Sequence, residues 1–450
     1  MDCDIETDSF SIFNLSRRLF AEMFIGCYVK GKLSHKIMDQ VLGDQNMLMW
    51  IGRSAVTALS SICFYNASES WDDLNFFDLV ISTYLISDNR YLYMQDFTTI
   101  QILISHLDPE LFLKYMLFNI APSIRKRVDF SKPLSSILCL QEFEIDLNLR
   151  HLLILVYNAL VERHFVEILD NLDVQYLERQ IIHSLARGNQ TIKKFKNRTY
   201  EYREIFVNDS STLNENLDDV LKKVSTVINS LDSEKTISLK PEYFDTLNMF
   251  FFIYYFPEGF NIQEKLSDLY KTSTCRFLLP EIGQLRESFI GMNSFLFSDD
   301  FSGLIMHVLV NWNTNRGRTE KVALDNLLLV TMSICLMLKI SLNKKNDSSF
   351  PKTIDFIFGI RMNLGSNNVM TLLAFFKKRL NHTIFGSIVD YLMDISEIPF
   401  DYFCDLSESR EGITDKSRKC IDFASKSLQK HQEFVLNNDK TQKDHWDFVQ

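Results

Sequence analysis

Leu177-Glu178-Arg179-Gln180-Ile181-Ile182-His183-Ser184-Leu185 opens the stretch that decides the fold, residues 172–256. Its apolar residues recur at three- and four-residue steps, the mark of an amphipathic helix. A polar, basic segment follows as far as Arg203. A second helical run is expected over residues 217–228, with Val220, Leu221, Val224 and Val227 on one face. Lys235-Thr236-Ile237-Ser238-Leu239-Lys240-Pro241-Glu242-Tyr243-Phe244 then reads as a strand entering a turn, and an aromatic run over residues 249–256 closes the stretch.

Helices followed by a short strand pair is the order of a winged helix, a module of about 70 residues at the low end of domain sizes. Everything on either side reads as helix, so this small β element is a landmark in an otherwise α chain. Composition agrees. With Gly 14 and Pro 8 in 450 residues, long helices are favoured over turn-rich β structure. A hydrophobic fraction of 46% is ample for a packed core, and Phe 37 points to helices cross-packed through large aromatic rings. The length suits two to four domains or one extended helical array. No repeat of fixed period is present, which argues against a regular solenoid.

Outward from the landmark, helices are expected at residues 10–28, 33–38, 47–65, 74–85 and 97–107. A sharper boundary follows. Asp108 suits an N-cap, Pro109 the first helical position, and Glu110 the first turn, where the helix dipole favours a carboxylate. A long buried helix is expected over residues 147–169. Downstream, helices are expected at 299–312, 321–342, 355–360, 368–380 and 384–395, then an acidic stretch over 404–414 and a last helix over 416–436.

Chemistry is sparse. The formal charge of -10 lowers the weight of a nucleic-acid binder. The second helix of the landmark begins Asn214-Glu215-Asn216-Leu217-Asp218-Asp219, the wrong sign for phosphates, and Lys222 and Lys223 do not clearly offset it. Lys193, Lys194, Lys196 and Arg198 read as a solvated loop. Gly26-Cys27-Tyr28-Val29-Lys30-Gly31-Lys32-Leu33 has the glycine and lysine spacing of a phosphate loop, but Leu33 stands where a hydroxyl would hold magnesium and a helix precedes it. It reads as a helix end. The eight cysteines form no C-x2-C pair, so reduced, mostly buried thiols are expected rather than disulfides. Lone histidines such as His183 read as structural, and no zinc site is expected within the chain. No signal peptide is visible, and the longest apolar run, residues 327–338, is short of the ~20 residues that span a bilayer.

The last predicted helix carries a stripe of Ile421, Ala424, Leu428 and Val435, with Phe423 and Phe434 beside it. It is locally basic through Lys416, Arg418, Lys419, Lys426, Lys430 and His431. From pattern alone it is a terminal helix docked on its own domain; the sharper reading is a helix offered to a partner surface.

Several stretches, taken in order, resemble the N-recognin family, the large UBR-type E3 ubiquitin ligases of the N-degron pathway. Residues 177–185 resemble the start of that family's winged-helix domain. Val220-Leu221-Lys222-Lys223-Val224, Ser238-Leu239-Lys240-Pro241-Glu242 and Leu247-Asn248-Met249-Phe250-Phe251-Phe252 resemble its later helix, its wing and the aromatic helix leaving it. Ser9-Phe10 with Leu15-Ser16-Arg17-Arg18-Leu19, and Leu107-Asp108-Pro109-Glu110-Leu111-Phe112, are similar to helices of the family's scaffold. Residues 418–437 resemble the helix just before the catalytic RING, which in the family binds the ubiquitin-conjugating enzyme (E2).

The resemblance implies a mainly α, irregular helical scaffold with an embedded winged-helix module and a C-terminal E2-binding helix. Its implied divisions are residues 1–171 and 249–403 as scaffolds, 172–248 as the winged helix, and 404–450 as acidic linker and E2-binding helix. Lys419, Ile421, Lys426, Leu428, Lys430 and Phe434 are the implied E2-binding residues. No catalytic, cofactor-binding or metal-binding residue is expected in the chain. In the family, zinc belongs to the RING and the UBR box, and neither matches here, so the chain alone is expected to lack ligase activity. Expected partners are a ubiquitin-conjugating enzyme and protein substrates bearing N-degrons, with no nucleic acid and no membrane, in the cytoplasm or nucleus. The alternative is a non-catalytic helical interaction scaffold unrelated to ubiquitin. A DNA-binding winged helix ranks third and a metabolic enzyme last.

Overall fold

The computed structural model describes residues 42–67, 90–120, 132–138, 143–193, 210–229, 235–251, 262–272, 274–314, 321–343, 349–359 and 368–396, with isolated positions 19, 23, 27, 36 and 40. The protein is mainly helical. The chain divides into two compact units, residues 1–304 with 319–329, and residues 305–318 with 330–450.

The first unit begins with α1 (Gln45–Ala67), α2 (Arg90–His106), α3 (Pro109–Ile120), α4 (Leu134–Leu138) and α5 (Phe143–Val161). Helices α1 and α2 pack closely because Gly52 leaves room for Leu103; a Cβ there would lie 2.6 Å from Leu103 Cδ1. The expected start of α3 is present: Asp108 Oδ1 accepts the Leu111 N–H at 3.1 Å, and Glu110 pairs with Lys114 at 3.0 Å. Glu110 also accepts the Leu134 N–H at 2.9 Å, so one first-turn carboxylate positions α4 as well. Later in the chain α9 (Gly291–Leu296) meets α2 at Gly291, where a Cβ would stand 1.7 Å from the Ser105 carbonyl oxygen. Phe295 of α9 packs edge-on against Phe112 at 5.3 Å, an instance of the expected aromatic cross-packing.

The landmark stretch forms α6 (Leu172–Ala186), β1 (Gln190–Thr191), α7 (Ser210–Val224), β2 (Ser225–Asn229) and β3 (Lys235–Leu239). The sheet is antiparallel in the order β1-β3-β2. Leu177, Ile181, Ile182 and Leu185 of α6 are buried together with Leu217, Val220, Leu221 and Val224 of α7 and Ile237 and Leu239 of β3. Two sequence expectations are corrected here. The second helical run stops at Val224, and residues 225–229 pair with β3. The reason is local: Thr226-Val227-Ile228 is β-branched, and Lys240 Nζ donates to the Lys222 and Lys223 carbonyls at 3.1 and 2.5 Å, closing the helix. Val227 is therefore an exposed strand residue rather than part of a helical face. Likewise Met249, Phe250 and Phe251 are buried in irregular backbone, not helix, while residues 252–256 lie outside the described residues.

A third correction concerns α5, which ends at Val161 and not near residue 169. Gln101 of α2 donates from Nε2 to the carbonyls of Ala159 and Glu162 at 3.1 and 2.9 Å. That side chain takes up carbonyls a continuing helix would have used. The unit is completed by α8 (Ile262–Lys271) and the first residues of α10 (Asp299–Thr314) and α11 (Lys321–Asn343). Asp325 of α11, almost wholly buried, accepts from Arg150 Nε at 2.7 Å and Gln263 Nε2 at 3.0 Å.

The second unit holds the rest of α10 and α11 with α12 (Ser349–Phe358), α13 (Val369–Leu380) and α14 (Thr383–Ser396). Helix α13 is bracketed as its sequence demands. Asn368 Oδ1 accepts the Thr371 N–H at 2.7 Å, and Asn381 adopts the left-handed conformation with φ 46° at the far end. Cys335 is buried and points its thiol at the Ile388 carbonyl, 3.7 Å away. By length and composition α11 alone among the described helices could cross a membrane, yet 83% of its apolar window is buried inside the protein, the pattern of a core helix. Cys27, Cys275 and Cys335 are free thiols.

Candidate functional site

The densest concentration of buried polar chemistry lies where α5 ends, and it grows from two helix faces. Asn158 and Glu162 are four residues apart, as are Arg179 and His183 on α6. Such spacing puts each pair on one side of its helix. Between them runs the irregular segment of residues 246–251, whose backbone polar groups have no ladder of their own and must find side chains.

They do. Arg179 grips Glu162 in a two-bond fork, Nε to Oε2 at 2.9 Å and Nη2 to Oε1 at 2.8 Å, and its Nη1 donates to the Thr246 carbonyl at 2.8 Å. Asn158 Nδ2 donates to the Phe250 carbonyl at 2.8 Å. Asn248 donates from Nδ2 to Asn158 Oδ1 at 3.0 Å and to Glu162 Oε1 at 2.9 Å, and its Oδ1 accepts the Phe250 N–H at 3.0 Å. The Asn248 backbone N–H points at His183 Nε2, 3.2 Å away, while His183 Nδ1 lies 2.8 Å from the Arg179 carbonyl. These two contacts fix the tautomer. Nε2 faces a donor and must accept, so the proton sits on Nδ1 and donates to Arg179 O. The ring is stacked on Phe251 at 3.8 Å.

The electrostatics follow from this geometry. Burial by itself pushes the Glu162 carboxyl up, but the charge and hydrogen bonds of Arg179 outweigh it and hold the group at about 2. Burial, aided by the Arg179 charge, holds His183 well below the ordinary histidine range. His164 is pushed down to about 4, chiefly by burial. The site thus keeps one carboxylate, one guanidinium and neutral imidazoles. Its hydrogen-bonding atoms are committed to one another and to backbone, so it joins elements rather than offering a nucleophile or base to a substrate. His183, read from sequence as structural, has that role here.

Beside it, Glu167 accepts the Gly283 N–H at 3.0 Å. Arg163 donates to Leu160 O at 2.6 Å and Asn293 Oδ1 at 3.4 Å. Sequence reading missed this cluster. A search for paired histidines or cysteines passes over Asn158/Glu162 and Arg179/His183, because the signal is mixed polar residues at four-residue spacing inside apolar stripes.

On α7, Asp218, Asp219, Lys222 and Lys223 are exposed. Lys222 pairs with Asp219 at 3.2 Å and Lys223 with Glu178 at 2.7 Å, so the face carries balanced charge. Lys419, Ile421, Lys426, Leu428, Lys430 and Phe434 lie outside the described residues, as do most of the phosphate-loop-like stretch and Lys194, Lys196 and Arg198. Among the described residues no group of three or more His, Cys, Asp or Glu is placed to hold a metal ion. No protein-family model matches the chain, and no curated protein sequence matches it.

Proposed function

We propose that the chain is the scaffold, winged-helix and E2-binding-helix portion of an N-recognin-type E3 ubiquitin ligase. In this reading it recruits a ubiquitin-conjugating enzyme and holds it near an N-degron substrate, in the cytoplasm or nucleus. The mechanism is positioning: a rigid scaffold raises the effective concentration of a substrate lysine at the E2 thioester and contributes no side-chain chemistry of its own. The observation that carries the reading is the succession α6, β1, α7, β2, β3 with sheet order β1-β3-β2. That order supports the reading, because it is compatible with a winged helix and falls on the residues whose sequence resembles that family's winged helix. The joint at Glu162, Arg179, His183 and Asn248 supports the positioning role, because it ties this module to α5 through charge-assisted bonds.

The test is calorimetric titration of a panel of ubiquitin-conjugating enzymes into the chain and into a variant carrying Ile421→Ala, Leu428→Ala and Phe434→Ala. Binding by the parent that the variant loses is the expected result. Absence of binding by the parent to every enzyme would instead favour the second reading, a helical interaction scaffold unrelated to ubiquitin. That reading draws on the self-contained character of the buried joint.

A further inference from the structure

Residues 274–286 cross the first unit as an extended strap with little regular secondary structure. One end is tied to Asp245, whose carbonyl accepts the Leu278 N–H at 2.8 Å and whose carboxylate accepts the Arg276 N–H at 2.9 Å. The other end lies antiparallel to residues 166–168. Ile168 N–H donates to Gln284 O at 2.9 Å and Arg286 N–H to Val166 O at 2.8 Å. Arg286 Nε donates to the Glu167 carbonyl at 3.1 Å. Between these ties the Glu167 carboxyl lies against Gly283. Oε1 accepts the glycine N–H at 3.0 Å, and a Cβ on Gly283 would stand 2.9 Å from Oε2.

The charged groups around this carboxyl are Arg163 and Glu162 from the end of α5 and Arg286 from the strap. Arg163 turns its guanidinium to Leu160 O and Asn293 Oδ1, and Arg286 spends its Nε on the Glu167 backbone. Among the described residues neither forms an ion pair with the Glu167 carboxylate. A buried carboxyl with one amide donor and no bonded cation is better accommodated neutral than charged.

We propose that Glu167 is a proton-operated latch: as a neutral acid it holds residues 281–286 closed on residues 166–168, and on ionising it loosens them. The electrostatics run the same way. Burial raises the carboxyl from the ordinary 4.5 to about 7, with Arg163 and the Gly283 N–H offsetting only part of the effect and Glu162 adding to it. A carboxyl raised in the closed form favours closure fully below its open-state value and loses that contribution as pH climbs through about 7. The latch therefore works between about pH 4.5 and about pH 7, where a small change in acidity alters the strap's opening equilibrium.

Hydrogen exchange on the 450-residue chain tests this, read by mass spectrometry from about pH 4.5 to about pH 8.5 and corrected for the intrinsic base catalysis of exchange. The opening constant for peptides covering residues 280–286 is expected to rise by up to about tenfold per pH unit between about 4.5 and about 7 and to level off above that, while peptides from α2 stay flat. In Glu167→Gln, which keeps an acceptor for the Gly283 N–H but cannot ionise, the slope should vanish and the strap stay as protected as in the parent at about pH 4.5. A pH-independent opening constant in the parent would overturn the latch. So would an unchanged slope in Glu167→Gln. The parent profile decides by itself if that variant does not fold.

Discussion

Arg179 is the residue on which the joint between α5, α6 and residues 246–251 depends. It forks onto Glu162 and caps Thr246 O, so Arg179→Met removes three hydrogen bonds and leaves a buried carboxylate without its cation. A cost of about 3–5 kcal/mol is expected, and adding Glu162→Gln should restore part of it. Denaturant titration of the two single variants and the double variant measures the coupling. The histidines make a separate prediction. His151, His164 and His183 are all depressed, to about 3, to about 4 and well below 6.5. Below about pH 6.5 the unfolded chain takes up protons that these folded rings refuse, so their contribution is complete above that value and is lost as pH falls. Glu167 opposes them over part of the range, because its folded carboxyl takes up a proton between about 7 and 4.5. A net loss approaching about 3 kcal/mol per pH unit is expected near pH 5, for two protons' difference at about 1.4 kcal/mol each. Below about 4.5 the Glu162 contribution is lost too, as its folded value is the lower one. The midpoint of denaturant unfolding, compared at about pH 7 and pH 5, checks the sign.

At the scale of elements, boundaries were legible where a side chain closes its own helix and illegible where a distant one does. Asp108-Pro109-Glu110 announces the start of α3, and Asn368 caps α13 from the adjacent position. Asn368→Ala should accordingly cost about 1 kcal/mol. The ends of α5 and α7 could not be placed from neighbours alone. Gln101 reaches α5 from 58 positions upstream, and Lys240 closes α7 only because β3 folds back beside it. Close approach between helices is likewise a property of pairs. A methyl at residue 291 would overlap the backbone of α2, whereas one at residue 52 would meet the tip of Leu103. Gly291→Ala is therefore expected to lower stability by about 3 kcal/mol or more, and Gly52→Ala by about 1 kcal/mol, because a leucine can change rotamer and a helix backbone cannot yield. Thermal unfolding of both variants side by side tests the ordering.

For the whole molecule, the charge of -10 and the balanced face of α7 bear on partners. Duplex DNA titrated at about 50 mM and about 200 mM salt should show no salt-dependent association, since little counterion release is available to an acidic surface. A steep salt slope would revive the DNA-binding reading. Helical class, the strand at residues 235–239 and most helices of the second unit follow from periodicity and low glycine and proline content. The candidate site was only half legible: His183 could be assigned a structural role, but its partner Asn248 N–H could not.

What the sequence by itself determined was which segments carry an apolar face and therefore become helices, and where Asp108-Pro109-Glu110 starts one of them. These are short-range properties, set within one or two turns of chain. What only the tertiary structure decided was which polar residues inside those faces meet. Asn158, Glu162, Arg179, His183 and Asn248 are spread over 90 positions and become one network only when α5 and α6 pack and residues 246–251 are threaded beside them. The physical reason is that a buried polar group is tolerated only with a partner, and the partner's identity depends on a three-dimensional arrangement that no local pattern records.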